Sequence, residues 1–255
     1  MSISGNDILL YEKKDRIVTM TLNRPEVMNA LNREMFDRLA EAWEKFAADD
    51  DASVAIVTGA GDKAFSAGAD LATDVNEVIR NTPKIRLFFM QCWKPIIAAI
   101  NGYAIAGGWM LAQKCDIRIA AEHAEMGIAE SRWNLSAGWV CSLTRQIGLG
   151  HALEIVLWGD RRISAQRGYE IGWINRVVPK EKLMDEAMSW AQRIVEMGPQ
   201  SVRNLKQILY QGFYLPESVF LPFAFGLENN LIGMEDTAEG PRAFLEKRKP
   251  IYRNR

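Results

Sequence analysis

The apolar pattern predicts an α/β fold with an all-helical C-terminal part, and three observations carry that expectation. Short β-branched runs bounded by turn residues recur along the first part of the chain, at residues 8–12, 16–22, 54–58, 95–100 and 115–120. Stretches of helical period alternate with them. From Glu181 onward only the helical pattern continues, broken at Gly198-Pro199, at Gly212 to Pro216 and at Gly233. The chain therefore reads as a mixed core over 1–180 and a helical region over 181–255. No Ser/Gly/Pro-rich linker separates them, so the second part is expected to act as a lid or an oligomerisation layer rather than as an independent domain.

The elements follow in order. Residues 8–12 and 16–22 flank the charged Lys13-Lys14-Asp15, a hairpin signal, and Asn23-Arg24-Pro25 ends the second strand. Asn32 is placed to cap a helix from Arg33 to Ala48, with Met35, Leu39, Trp43 and Phe46 along one face. Val54 to Thr58 is a buried strand that runs into a small-residue stretch from Gly59 to Asp70, whose backbone can approach a ligand closely. Residues 71 to 93 read as helical and mobile, interrupted at Thr82-Pro83. Pro95 to Ile100 is a buried strand, Asn101-Gly102 a turn, Trp109 to Ala112 a short helix opened by Gly107-Gly108, and Cys115 to Ala120 another strand. Ser131 to Gly138 is a loop. Helices follow at 141–147 and 150–158, Ser164 caps another over 165–171, and Trp173 to Val178 is a strand. A degenerate strand-strand-helix recurrence spans 8–48, 54–93 and 96–125.

Composition narrows the function. The 255 residues are 48% hydrophobic and 25% charged, with a net charge of −1, which argues against phosphate-driven binding of nucleic acid. The N-terminus lacks an apolar signal core and no apolar run reaches membrane-spanning length, so a cytoplasmic protein without membrane partners is expected. The three cysteines, Cys92, Cys115 and Cys141, read as buried free thiols in a reducing compartment. The two histidines exclude a multi-histidine metal site, and no metal-ligand spacing is visible.

Several constellations bear on chemistry. The loops Phe65 to Asp70 and Gly102 to Gly108 each follow a buried strand and precede a helix. Either the glycines only permit tight turns, or one backbone N–H from each loop converges on a single oxygen. Neither run has the Lys-Ser/Thr of a phosphate loop or the spacing of a dinucleotide fingerprint. Glu130 stands among Met126, Gly127, Ile128 and Ala129. It pairs locally with Arg132 or Arg145, or it is a general acid/base whose pKa burial has raised. The run Phe244 to Pro250 is a solvated tail, or it contacts phosphate through Lys247 or its neighbours. Trp109, Trp133 and Trp139 pack in the core, or they wall a flat acyl pocket. Ser66, His123 and Asp70 offer no nucleophile-elbow spacing.

These residues resemble the crotonase superfamily, the enoyl-CoA hydratase/isomerase family. The resemblance is carried by Leu22 to Pro25 with Asn29-Ala30-Leu31, by Ala64 to Asp70, by Pro95 to Gly108, by Cys115-Asp116, by Gly159-Asp160 with Ile163-Ser164-Ala165, and by Phe244 to Pro250. Together, in that order and spacing, they cover nearly the whole chain. The resemblance implies a spiral of ββα units followed by a helical trimerisation region, assembled as a homo-trimer or hexamer. It implies that the N–H groups of Ala69 and Gly107 bind the carbonyl oxygen of an acyl-CoA thioester. The CoA would lie against Val27, Met28, Ala67 and Gly68, with Phe244 and Lys247 reaching the CoA of a neighbouring subunit. Trp109, Met110, Trp133 and Trp139 would shape the acyl pocket. No cofactor is implied beyond coenzyme A as part of the substrate. Hydratases of this family typically carry two glutamates. One corresponds to Glu130, while the other position is Met110 here. A single glutamate suits double-bond isomerisation, and also a hydratase that uses one carboxylate with a positioned water. A thioester hydrolase, a decarboxylase and a non-catalytic CoA-ester-binding protein are the other readings.

Overall fold

The computed structural model describes residues 7–71 and 92–255. The expected helix over 71–93 lies almost wholly outside the described residues. Strands β1 (Leu9–Lys14) and β2 (Ile17–Leu22) form an antiparallel hairpin, with Leu9 opposite Leu22 and Lys14 opposite Ile17. The strands run closer to the turn than the charge pattern suggests. Only Asp15 and Arg16 remain between them, both at positive φ (49° and 68°), the conformation that matches a two-residue turn to strand twist.

Helix α1 (Arg33–Ala48) starts where its cap places it. The Asn32 side chain accepts a hydrogen bond from the Met35 N–H at 2.9 Å, and Met35, Phe36, Leu39, Ala42, Trp43 and Phe46 are buried. The chain then winds through strand pairs: β3 (Val54–Gly59) with β4 (Ala64–Ser66), β5 (Ile96–Ile100) with β6 (Tyr103–Ile105), and β7 (Ile117–Ala121) with β8 (Glu125–Gly127). Helix α2 (Gly107–Lys114) follows β6. Each pair gives its first strand to one sheet and its second to another. With β9 (Ile163–Ser164) and β10 (Arg176–Val178), the orders are β1-β2-β3-β5-β7-β10 and β4-β6-β8-β9. From β2 to β10 the larger sheet is parallel. This is the ββα spiral that the resemblance implies.

Alternation along the central strands explains why they read as unbroken apolar runs. Ala55 and Val57 of β3, and Ile96, Ala98 and Ile100 of β5, face a core shared with α1, α2 and the smaller sheet. Val54 and Ile56, with Ile97 and Ala99, face a second cluster covered by Leu183, Ala187 and Ala191. Both faces are dry, so both side-chain sets are apolar. The three covering residues belong to the first helix after residue 180.

The remaining helices are α3 (Leu143–Ile147), α4 (Leu149–Leu157), α5 (Ala165–Glu170), α6 (Leu183–Val195), α7 (Pro199–Gly212), α8 (Glu217–Asn229) and α9 (Glu235–Leu245). Ser164 caps α5 through its Oγ, which accepts from the Arg167 N–H at 3.1 Å. Three expectations need correction. The strand expected from Trp173 begins only at Arg176, because the N–H groups of Trp173 and Ile174 both donate to the Gly168 carbonyl and turn the chain into the core. The segment Ser131 to Gly138 is bounded by short 3-10 turns, Glu130–Trp133 and Gly138–Ser142. Cys141 is exposed, while Cys92 and Cys115 are buried; all three are free thiols. Among the described residues no helix is long and apolar enough to cross a membrane.

Candidate active site

The smaller sheet brings the two small-residue loops together. β4 and β6 pair in parallel, Ala64 with Tyr103 and Ser66 with Ala104, so the segments leaving them emerge side by side. The first segment, Ala67 to Asp70, is tied down by Ala67 N–H to the Met28 carbonyl, Leu31 N–H to Gly68, and Asp70 N–H to Leu31. The second turns sharply at Ala106 (φ 52°, ψ −114°) and enters α2 at Gly107. Among the described residues, the N–H groups of Ala69 and Gly107 meet no carbonyl of a turn, loop or cap.

Glycine makes this approach possible. A β-carbon on Gly68, which sits at φ +89°, would lie 2.7 Å from the Ile105 carbonyl oxygen and 2.9 Å from the Gly107 nitrogen. One on Gly108 would lie 2.2 Å from the Ser66 carbonyl oxygen. One on Gly107 would lie 3.5 Å from the Ala69 nitrogen, so the two loops run against each other here. Two such donors, one at a helix start, can hold an oxygen that gains negative charge.

They open into a cavity of about 500 Å³, whose walls include Ala67, Ala69, Gly107, Met110, Glu130, Trp133 and Trp139. Glu130 begins a 3-10 turn in this wall. Its Oε2 is buried and, among the described residues, has no hydrogen-bond partner. Burial raises the Glu130 pKa above the ordinary value, and the backbone N–H groups of Glu130 and Ala129 pull it down less strongly. Among the described residues Glu130 forms no ion pair with Arg132 or Arg145. Arg132 lies over the Trp133 ring at 5.4 Å and Arg145 over Tyr214 at 4.2 Å.

Other expected residues fall elsewhere. Trp109 does not line the cavity. It is fully buried, stacked on Trp173 with ring centroids 3.9 Å apart, and its Nε1–H donates to Gln113 Oε1 at 3.0 Å. Successive helical residues diverge by about 100°, so Met110 faces the cavity while Trp109 faces the core. Val27 and Met28 are exposed beside the first loop, outside the cavity wall. Phe244 is 82% exposed at the end of α9, and Lys247 follows it at φ +55°; neither is among the cavity-wall residues. Within that run Arg248 pairs with Glu239 and Lys249 with Glu196, so it is anchored rather than a free tail. Ser66, Asp70 and His123 do not form a triad. Ser66 Oγ accepts from the Gly68 N–H, Asp70 pairs with Arg24 at 2.9 Å, and His123 lies 3.4 Å from the Asp62 carbonyl.

Sequence reasoning did not single out Phe36, Leu135, Asp160, Arg161 or Arg162 as wall residues. The Arg161-Arg162 pair beside Gly159-Asp160 was the available signal. It also missed Asn101, whose side-chain amide donates to the Gly59, Gly61 and Ala64 carbonyls, because a turn asparagine looks the same in sequence whether or not its amide is buried.

Comparison with known proteins identifies the family and the fold. The Enoyl-CoA hydratase/isomerase family model matches residues 12–255. The (E)-benzylidenesuccinyl-CoA hydratase of Thauera aromatica is 37% identical over 95% of this chain and 97% of its own length. The short-chain-enoyl-CoA hydratase of Clostridium acetobutylicum is 32% identical over 96% of each. The crystal structure of enoyl-CoA hydratase from Bacillus anthracis superposes with a TM-score of 0.93 at 34% identity, covering 98% of this chain and 100% of the other. A ββα spiral, two loop N–H groups and a buried carboxyl in the wall of one cavity, and a family match over nearly the full length lead to one assignment: the chain belongs to the enoyl-CoA hydratase/isomerase family of the crotonase superfamily.

Proposed function

We propose that the cavity binds an enoyl-CoA thioester and hydrates its double bond, with Glu130 as the single proton carrier. The thioester oxygen accepts hydrogen bonds from the N–H groups of Ala69 and Gly107. As a water oxygen bonds to C3, the water proton passes to Glu130. The electrons of the C2=C3 bond shift towards the thioester oxygen, giving an enolate. The two N–H groups favour that charge more than they favour the neutral carbonyl. Glu130 then delivers the proton to C2, and the thioester carbonyl re-forms. The observation that carries this reading is the buried, unpartnered Oε2 of Glu130 in the wall of the same cavity. A carboxylate denied water is the stronger base.

Met110, Trp133 and Trp139 then shape the acyl pocket. The CoA runs along Val27, Met28 and the Ala67-Gly68 backbone, and enters only as part of the substrate. Phe244 and Lys247, exposed on one chain, meet the CoA of a neighbour in a homo-trimer or hexamer. Exposed Leu209, Phe213, Val219 and Phe225 on α7, α8 and the turn between them support such an assembly.

Met110 favours a second reading. Its side chain cannot help to activate water, which suits isomerisation. Glu130 would take a proton from C2 of a 3-enoyl thioester and return it at C4. A conjugated-thioester absorbance assay separates the two: hydration of crotonyl-CoA lowers the signal, and isomerisation of 3-enoyl-CoA raises it. Turnover unaffected by Glu130→Gln would remove Glu130 as the proton carrier. Binding without turnover would point to a CoA-ester-binding protein. Release of free thiol or of carbon dioxide would point to a hydrolase or a decarboxylase.

A further inference from the structure

The cavity wall beyond Glu130 carries cations that the proposed proton transfer does not use. Arg132 sits two residues after Glu130, and Arg161 and Arg162 lie in the turn that follows α4; all three line the cavity. Packing at Gly159 joins the two segments. A β-carbon there would lie 2.2 Å from Ser131 Oγ and 3.0 Å from the Arg132 nitrogen, and Ser131 Oγ donates to the Val156 carbonyl at 3.0 Å. The Arg161 N–H closes its turn on the Trp158 carbonyl at 2.7 Å.

The three guanidinium groups are not equivalent. Arg162 is matched by Glu125 at 3.2 Å. Arg132 and Arg161 lie instead over indole rings, 5.4 Å from Trp133 and 4.7 Å from Trp158, and neither forms an ion pair among the described residues. Among the described residues the wall holds two carboxylates, Glu130 and Asp160. Arg132 and Arg161 are thus cations of this wall that no carboxylate pairs among the described residues, set among small, aliphatic and aromatic side chains. A guanidinium stacked on an aromatic ring keeps its planar N–H edge free for bidentate recognition of a carboxylate.

We infer that Arg132 and Arg161 form a subsite for a second carboxylate, carried by the acyl group itself, so that the substrate is the monothioester of an unsaturated dicarboxylic acid. This rests on the proposed enoyl-CoA chemistry. It adds what lies past the double bond: the thioester end is held by Ala69 and Gly107, and the distal anion by the two arginines.

The test compares crotonyl-CoA, glutaconyl-CoA (crotonyl-CoA with a carboxylate on its terminal carbon) and the terminal methyl ester of glutaconyl-CoA. Wild type, Arg132→Leu, Arg161→Leu and Arg161→Lys are assayed by loss of the conjugated enoyl-thioester absorbance. The expected result is a kcat/KM for the free carboxylate about 10- to 100-fold above that for its methyl ester. Each leucine variant should lose most of that preference, while crotonyl-CoA changes by less than about threefold. Arg161→Lys should recover only part of it, since lysine keeps the charge but not the fork. Equal kcat/KM for acid and ester in wild type overturns the inference. So does an equal loss on all three thioesters, which would assign the arginines to CoA phosphates. Both results leave the enoyl-CoA reading standing. Absence of turnover on every thioester defeats that reading and this one together.

Discussion

Asn29 and Asn101 share one acceptor: the side-chain amide of each donates to the carbonyl oxygen of Ala64, at 2.8 and 3.3 Å. Asn29 also donates to the Ala60 carbonyl and accepts from the Arg24 N–H. Asn101 donates to the Gly59 and Gly61 carbonyls and accepts from the Gly59 N–H. Together they fix the stretch that leads into Ala69. Replacing either with leucine orphans several buried carbonyls. We predict a loss of about 3 kcal/mol from each substitution, read from urea unfolding, together with a fall in kcat. An unchanged midpoint would show that the loop holds itself.

As the proposed proton carrier, Glu130 is expected to couple activity to stability with opposite signs. Burial raises its pKa, so the folded chain holds this proton to higher pH than the unfolded chain does. The stability it contributes therefore falls as pH rises from the unfolded carboxylate value through the folded one. Glu130→Gln should raise Tm near neutral pH and converge with wild type at acid pH, where both side chains are neutral. The same substitution should lower kcat by about 10²–10⁴. The acidic limb of kcat/KM should lie above the ordinary glutamate range. Calorimetry across pH checks the first expectation, and steady-state kinetics check the others.

Gly108→Ala should disable the cavity without touching Glu130. The new methyl group meets the Ser66 carbonyl at 2.2 Å and must push apart the loops that carry Ala69 and Gly107. A misplaced N–H donor of this kind is worth about 10²–10³ in rate. The expected outcome is that loss in kcat with secondary structure retained by circular dichroism. Full activity would mean that the two N–H groups do not act together.

Met110→Glu places a carboxyl in the cavity wall where Met110 stands. The hydration rate relative to the isomerisation rate should rise roughly tenfold or more if a second acid/base group is what hydration lacks here. Product analysis by chromatography decides this. An unchanged ratio would show that Met110 does not divide the two reactions.

The larger sheet and most helices were legible because their signals are local. Asn32 caps α1, Ser164 caps α5, and the runs at 54–58 and 95–100 are apolar on both faces. The smaller sheet was not. Its strands are two or three residues long, built from pieces such as Ala64-Phe65-Ser66 and Tyr103-Ala104-Ile105, too short to show a period. The two small-residue loops and Glu130 stood out through glycine spacing and an isolated carboxyl, while Ala69 and Gly107 within those loops were named only by the family resemblance. Which of Trp109 and Met110 faces the cavity could not, because that depends on the rotation of α2 about its axis, fixed here by the Trp109–Trp173 stack.

The pairing of β4 with β6 also bears on how the molecule comes to life during folding. Ala69 follows one turn of the spiral and Gly107 the next, and the chain between them must loop round before the parallel strands meet. Contacts distant in sequence close late, because the loop entropy is lost before the pairing compensates it. A chain wound through its first turn holds Ala69 and most of its helix α1, yet lacks the second donor. Catalytic competence in a refolding chain should therefore appear abruptly with the last winding step, lagging the recovery of helical signal rather than tracking it.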